Sequence, residues 1–168
     1  MLFVLGLIDS ASNKILEDVR NKADALGAPI QPLYAHITFA TYVGDDDAAF
    51  VASCKELLQN YKTFSVRFEK IDQLPGTSIL AAFPIKEKEL TVIHRDIVEA
   101  WKDSLTPWTQ EDVWRPHTTL LNNSEIDLNS ALHSMQSAFT PFDARISRIE
   151  FSSRRENGFE IIDAVELM

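Results

Sequence analysis

Two short segments of the chain share a pattern of residue types suited to acid–base chemistry. The first is residues 35–39 (AHITF) and the second, 81 positions later, is residues 116–120 (PHTTL). Each contains a histidine, any residue, a threonine and a large apolar residue, and together they use two of the four histidines in the chain. Both lie in apolar runs rich in β-branched residues, which predicts that each segment forms a β-strand.

The strand geometry predicts which side chains of each segment act together. Side chains two positions apart share one face of a strand, so His36 faces the same way as Thr38, and His117 the same way as Thr119. Imidazole is the side chain that takes up or gives away a proton near neutral pH, and a hydroxyl donates a hydrogen bond to a charged oxygen. Two such strands around one cavity would suit displacement at a phosphate, with one histidine as base and the other as acid.

A purely structural role and a metal site are both less favoured for these two histidines. A single His-x-Thr segment is more often structural, and it is the repetition that favours chemistry. The other two histidines, His94 and His133, lie off the apolar stripes of predicted helices, so we expect both to be solvated and non-catalytic. No histidine or carboxylate stands two or four positions from His36 or His117 on the same element, which disfavours a zinc site. We therefore expect no metal and no cofactor.

The alternation of side chains extends the predicted cleft beyond the four motif residues. Tyr34 and Arg115 precede the histidines by two positions, and Tyr42 and Asn123 follow the threonines by four, so regular strands would point all four into the cleft. A tyrosine could stack on a base and Arg115 could pair with a second phosphate, although all four could equally be rim residues. Trp114 has the opposite parity, which favours the core.

The elements around the two motifs follow the same order twice: strand, helix, motif strand, helix, strand. This order predicts an internal duplication of roughly 80 residues. We expect one bilobal domain over residues 1–168, with lobes at about 1–74 and 77–168, a turn at Pro75-Gly76, and strand exchange between the lobes left open. The first helix is predicted to bury Ile15, Val19, Ala23 and Leu26, and a hairpin turn is predicted at residues 156–158.

Composition and charge narrow the possible partners. The formal charge is −9 and the isoelectric point is about 4.8, which disfavours a broad surface for duplex DNA because such surfaces neutralise many phosphates. The one cysteine, Cys54, falls on an apolar helical stripe and is predicted to be buried. The apolar segment Leu2 to Ile8 is too short to span a membrane. We expect a cytoplasmic, monomeric protein.

Both motifs fit the His-x-Thr/Ser-apolar signature of the two-histidine (2H) phosphoesterase superfamily: His36-Ile37-Thr38-Phe39 and His117-Thr118-Thr119-Leu120. The chain resembles the 2'-5' RNA ligase and 2',3'-cyclic nucleotide phosphodiesterase-like members of this superfamily. Ala35 stands where a proline is common. The resemblance implies an α+β fold in which two antiparallel sheets line a central cleft, with helices outside. It also implies metal-independent action on 2',3'-cyclic phosphates or 2'-5' linkages by the two histidines and two threonines.

The leading hypothesis is therefore a cyclic phosphodiesterase or a related phosphoesterase, whose partner is a nucleotide or an RNA end carrying a cyclic phosphate or a 2'-5' linkage. One alternative is a 2'-5' RNA ligase, which runs the same chemistry toward bond formation. A second is a nucleotide- or RNA-binding module that uses the cleft without turnover. The presence of two histidines and two threonines argues against that module, because binding alone does not need two proton carriers.

Overall fold

The computed structural model describes residues 1–27, 32–85, 87–155 and 158–168. The elements are β1 (Leu2–Ile8), α1 (Ser10–Arg20), β2 (His36–Tyr42), α2 (Asp47–Leu58), β3 (Phe64–Gln73), β4 (Ile79–Pro84), α3 (Lys88–Trp101), β5 (Thr118–Asn122), α4 (Leu128–Ala138), β6 (Phe142–Arg155) and β7 (Gly158–Glu166). The order strand, helix, motif strand, helix, strand thus occurs twice, as predicted, and β7 follows it. The predicted hairpin turn falls partly on residues 156–157, which lie outside the described residues, but β6 and β7 pair antiparallel on either side of it.

All seven strands belong to one antiparallel sheet with the order β2-β1-β6-β3-β4-β5, and β7 also pairs with β6. The first part of β6, Phe142 to Ile146, pairs with β3. Its later part pairs with β1 on one side and with β7 on the other. The sheet therefore has two four-stranded regions that share β6. The predicted α+β class is confirmed, and the two sheets that the resemblance implied are these two continuous regions.

Strand pairing crosses between the two halves of the sequence. Strand β6, from the second half, pairs with β1 from the first. Strand β3, from the first half, pairs with β4 from the second. The segment between β3 and β4 forms a tight turn in which Gly76 has φ 76° and Leu74 N donates to Ile79 O over 2.8 Å. The predicted turn is therefore the tip of a hairpin within the sheet.

Each motif strand contains a β-bulge at the residue after its threonine. Leu5 pairs with Thr38 and Val4 with Ala40, so Phe39 has no partner on β1. In β5, Leu120 likewise has no partner on β4, because its neighbours Thr119 and Leu121 pair with consecutive β4 residues. A bulge adds one residue to a strand and changes the alternation of side chains beyond it. Both strands therefore change face just after the motif.

Helix α1 begins after Asp9, whose side chain accepts a hydrogen bond from Ser12 N over 3.0 Å. Leu16 is fully buried, whereas Ile15 is 44% exposed. The predicted stripe is confirmed at Val19 and Ala23, both buried, and is wrong at Ile15 and at Leu26, which is also exposed. Neighbouring helical residues point about 100° apart, and in α1 Leu16 faces the core while Ile15 faces solvent.

Helix α2 carries the one cysteine of the chain and has an acidic N-terminus. Cys54 is buried on α2, as predicted, and burial raises the pKa of its thiol to about 12. The acidic start of α2 caps the helix, since Asp46 accepts a hydrogen bond from Ala49 N over 2.9 Å. Across the described part of the chain, none of the helices has the length and apolarity needed to cross a membrane.

The packing of α1 predicts a large difference between two neighbouring substitutions. Leu16→Ala should lower the free energy of unfolding by about 2–5 kcal/mol, because it leaves a cavity in the core. Ile15→Ala, the matched control, should change it by about 0.5 kcal/mol or less, because that side chain is largely in solvent. Urea denaturation of both variants measures the difference. A larger loss for Ile15→Ala would contradict the observed packing of α1.

Candidate active site

The two motif strands lie at opposite edges of the sheet, yet they contact each other directly. Strand β2 ends one side of the sheet order and β5 ends the other. Thr118 Oγ1 donates to the backbone O of His36 over 3.0 Å, and Trp114 Nε1 donates to the backbone O of Thr38 over 2.9 Å. Carbonyl groups at a sheet edge need partners from outside the ladder. These two bonds supply them and hold the two motifs side by side.

The rest of the free edge of β2 is covered by α3 and the segment that follows it. Thr106 N donates to Thr41 O and Val43 N donates to Ser104 O, each over 2.9 Å. His94 Nδ1 lies 2.7 Å from the backbone O of Phe39. The whole edge is therefore fixed against the second half of the chain.

The placement of His94 differs from the prediction. His94 is 1% exposed and its ring stacks on Trp114 with centroids 3.8 Å apart. The prediction that His94 is solvated is therefore wrong, because α3 packs against β2 on the side that carries it. His133 is exposed, as predicted. Trp114 is 5% exposed, which confirms its predicted place in the core.

Both motif histidines are oriented by the same type of hydrogen bond. Nδ1 of His36 lies 2.7 Å from the backbone O of Tyr34, and Nδ1 of His117 lies 2.7 Å from the backbone O of Arg115. A carbonyl oxygen only accepts hydrogen bonds, so each Nδ1 carries the proton and donates. Nε2 of each ring is then the nitrogen that can take up or release a proton.

Burial shifts the protonation of both rings in the same direction. It lowers the pKa of His36 and that of His117 below the usual value for histidine. The pKa of His36 is lowered further by the positive charge of His117, while the Tyr34 carbonyl and the Glu150 carboxylate act in the opposite direction. Both rings therefore stay neutral to a lower pH than free histidine, and a bound anion would favour protonation of one of them.

A polar cluster around the buried carboxylate of Glu150 lies on one side of His36. The hydroxyl of Tyr34 donates to Glu150, which is 3% exposed and accepts a second bond from Arg148 Nε over 2.8 Å. The ring of Tyr34 lies 5.5 Å from that of His36, and the edge-on ring of Phe159 lies 5.4 Å away. Tyr34 thus adjoins His36, and its hydroxyl is held by Glu150; that Tyr34 contacts substrate stays a prediction.

A cleft of about 850 Å³ opens beside the second motif. Of the residues predicted from sequence, Thr38, Arg115 and His117 line it. His36 on β2 and Thr119 on β5 are half-buried and do not line this cavity directly. Each lies two positions from a motif residue that does. The remaining lining residues are Phe3, Thr41, Leu74, Pro75, Thr77, Ile79, Trp108, Thr109, Asp112, Val113 and Trp114.

Two residues predicted to face the cleft do not: the bulge in β2 turns Tyr42 away, and β5 ends before Asn123. Tyr42 is 2% exposed and stacks on Phe50 with centroids 4.2 Å apart, so the expectation that it faces the cleft is wrong. Thr41 lines the cleft in its place. Asn123 lies beyond the end of β5, where its Oδ1 accepts a hydrogen bond from Glu125 N over 2.8 Å. It does not line the cavity, so the expectation that it faces the cleft is also wrong.

Several residues of the site carry no signal in the sequence. Thr118 stands at the variable position of its motif, yet its hydroxyl joins the two strands. Glu150 lies far from His36 in the chain and meets it only through the pairing of β6 with β1.

Within residues 1–27, 32–85, 87–155 and 158–168, no group of three His, Cys, Asp or Glu side chains is placed to hold a metal ion.

Comparisons with known proteins agree with this architecture. A family model described as the 2'-5' RNA ligase superfamily matches residues 8–158. TT0787 of Thermus thermophilus superposes with a TM-score of 0.70 at 12% identity, covering 99% of this chain and 97% of its own. LigT of E. coli, complexed with 3'-AMP, gives 0.66 at 14% identity, with 99% and 97% covered. Usb1 of Kluyveromyces marxianus gives 0.56 at 14% identity, with 99% and 96% covered. These likenesses show a shared fold, and no curated protein sequence matches the chain.

The cluster beside His36 predicts a specific change in its titration. Replacing the buried carboxylate in Glu150→Gln should lower the pKa of His36, because the carboxylate favours the protonated ring. The pKa of His117 should change less. Nuclear magnetic resonance titration of the imidazole protons measures both. Glu166→Gln, which removes the other carboxylate bound to Arg148, is the matched control. An unchanged or raised pKa of His36 in Glu150→Gln would contradict this electrostatic account.

Proposed function

The chain belongs to the 2'-5' RNA ligase superfamily, which confirms the resemblance seen in its two motifs, and from that membership and the site geometry we propose that it is a two-histidine phosphoesterase. The proposed substrates are 2',3'-cyclic phosphates or 2'-5' phosphodiester bonds of nucleotides or RNA ends. The observation that carries the proposal is the contact between the two edge strands. It holds the strands that carry His36 and His117 side by side, and each imidazole has its Nδ1 bound to a backbone carbonyl, which leaves Nε2 for chemistry.

The proposed reaction needs two proton transfers. One neutral imidazole accepts a proton from the attacking water as its oxygen bonds to phosphorus. The other imidazole, protonated, donates to the ribose oxygen as the phosphorus–oxygen bond breaks, which opens the cyclic phosphate to a monoester. The first ring ends the reaction protonated and the second ends it neutral. Proton exchange with solvent then restores the starting state. His36 and His117 are assigned as this pair.

Threonine hydroxyls would hold the phosphate during these transfers. Thr38 and Thr119 each lie two positions after a histidine, before the bulge, and therefore on the same face of the strand as that histidine. A hydroxyl there can donate to a non-bridging oxygen, where negative charge is concentrated. Arg115, which lines the cleft beside His117, adds a positive charge at the same end.

Ligation is the second candidate, and the description of the family model favours it. The same acid–base pair would then act in the direction of bond formation. A net charge of −9 favours small or end-presented substrates over long RNA, because many phosphate contacts would need many cations. For that reason hydrolysis is the first candidate and ligation the second.

A cytoplasmic location and a monomeric state stay predictions.

Loss of either histidine should remove nearly all turnover. His36→Ala and His117→Ala should each lower kcat for 2',3'-cyclic AMP by about 10²- to 10⁴-fold, the usual contribution of a general acid or base. His133→Ala, which changes an exposed histidine on α4, is the matched control and should keep the wild-type rate. The assay is run with EDTA present. Wild-type turnover in either folded motif variant would refute the assignment, and binding without turnover by the wild type would favour the binding module.

The lowered pKa values predict the pH dependence. Activity should be bell-shaped, since protonation of both rings removes the base and deprotonation of both removes the acid. The anionic substrate should raise the pKa of both histidines, so the profile of kcat should lie at higher pH than that of kcat/KM. Both profiles are measured with 2',3'-cyclic AMP. A flat profile, or a kcat profile displaced to lower pH, would contradict the paired mechanism.

A further inference from the structure

Two successive carbonyl groups of β2 accept hydrogen bonds from buried rings of the second half of the chain. At the bulge, Trp114 Nε1 donates to Thr38 O over 2.9 Å, and His94 Nδ1 lies 2.7 Å from Phe39 O. In a regular strand, successive carbonyls point to opposite sides, so one of the two would face β1. Phe39 has no partner on β1, and its carbonyl instead turns to the same side as that of Thr38. Both carbonyls therefore need donors from outside the sheet.

The two donors form one rigid unit. The rings of His94 and Trp114 are nearly parallel, at 11°, with centroids 3.8 Å apart, and Trp114 also stacks on the ring of Phe39. Both donors are buried, where a hydrogen bond is stronger than in water. A carbonyl oxygen only accepts, so Nδ1 of His94 carries the proton and donates to Phe39 O. The stacked pair thus fixes the backbone of the β2 bulge at two adjacent points.

The motif residue nearest to these two points is Thr38. Its hydroxyl is the proposed phosphate donor, and it lines the cleft together with Trp114. The carbonyl of His36 has a separate anchor, because it accepts from Thr118 Oγ1. A group that binds substrate loses much of its effect when it is misplaced by about 1 Å. Loosening the bulge would therefore disturb the threonine hydroxyl more directly than the imidazole.

Core packing alone does not account for a histidine at position 94 of α3. The other buried side chains of this helix are apolar: Leu90, Ile93, Ile97 and Val98. A polar ring buried on such a face costs free energy unless its nitrogens are hydrogen-bonded. A phenyl ring would fill a similar volume without that cost. What the imidazole adds is the N–H donor to the carbonyl of Phe39.

We propose that His94 is a positioning residue for Thr38: stacked on Trp114, it binds the β2 bulge and so fixes the hydroxyl that donates to the substrate phosphate. This inference rests on the proposed function, in which Thr38 binds phosphate, and deepens it by giving a role to a buried histidine outside the two motifs. His94 is not among the residues that line the cleft. It acts through the strand, and takes no part in proton transfer.

The first test removes the donor and keeps the ring. His94→Phe should lower kcat/KM for 2',3'-cyclic AMP by about tenfold or more. His94→Asn, whose amide nitrogen takes the place of Nδ1, should recover most of that loss. Val66→Ala, a buried change on β3, which pairs with β4 and β6 and with neither motif strand, is the control for lost core packing and should keep the wild-type value. If His94→Phe does not fold, Trp114→Phe removes the neighbouring donor and should give the same loss.

Wild-type kcat/KM in the folded donor-less variant, or no recovery in His94→Asn, overturns the proposal.

The second test asks whether His94 acts through Thr38. His94→Phe is combined with Thr38→Ala and, as the matched background, with Thr119→Ala, the equivalent change on β5. If the imidazole positions the Thr38 hydroxyl, its loss should cost little more once that hydroxyl is gone, and should keep its full cost in Thr119→Ala. A merely structural histidine would lower kcat/KM by the same factor in both backgrounds. Equal losses in the two backgrounds therefore overturn the proposal.

A binding test separates this inference from the proposed function. Isothermal titration with 3'-AMP needs no turnover, and His94→Phe should weaken binding in the wild-type background and leave it nearly unchanged in Thr38→Ala. If no cyclic phosphate is turned over, the proposed function fails, and this comparison still decides the role of His94. Unchanged affinity in His94→Phe, the same loss in Thr38→Ala, or no binding by the wild type overturns the assignment.

Discussion

The structure depends on the closure of one sheet edge against the other. Strands β2 and β5 are far apart in the strand order, and regular hydrogen-bonded pairing between them would close the sheet into a barrel. Side chains make the contact instead: the Thr118 hydroxyl and the Trp114 indole satisfy carbonyl groups of β2. The edges are thus held together without a strand ladder between them. That arrangement holds side by side the two strands that carry His36 and His117, which are 81 positions apart in the sequence.

The two halves of the site share a backbone design and differ in their surroundings. Each motif strand has a bulge after its threonine, and each histidine bonds through Nδ1 to the carbonyl two positions before it. Only around His36 do the described contacts include a buried carboxylate, Glu150, held by Tyr34 and Arg148. Equivalent backbones with unequal electrostatics are what a reaction with one acid and one base requires.

The features predicted correctly from the sequence are those that local patterns of residues control. The element order, the two motif strands, the buried Cys54 and the core position of Trp114 all follow from periodicity and residue type. Alternation along one strand misplaces Tyr42 because a bulge arises from pairing with a neighbouring strand, and it misplaces Asn123 because β5 ends at Asn122. Burial of His94 depends on which side of α3 meets β2, a tertiary contact that its own helix does not specify.

The central claim is that His36 and His117 act as one catalytic unit, and a double-mutant cycle tests it most directly. The kcat for 2',3'-cyclic AMP is measured for the wild type, His36→Ala, His117→Ala and the double variant, with each fold checked by circular dichroism. Residues that act as a unit give strongly non-additive losses. The account predicts that the double variant is little slower than either single variant. Losses that multiply, so that the double variant shows the product of the two single effects, would contradict it.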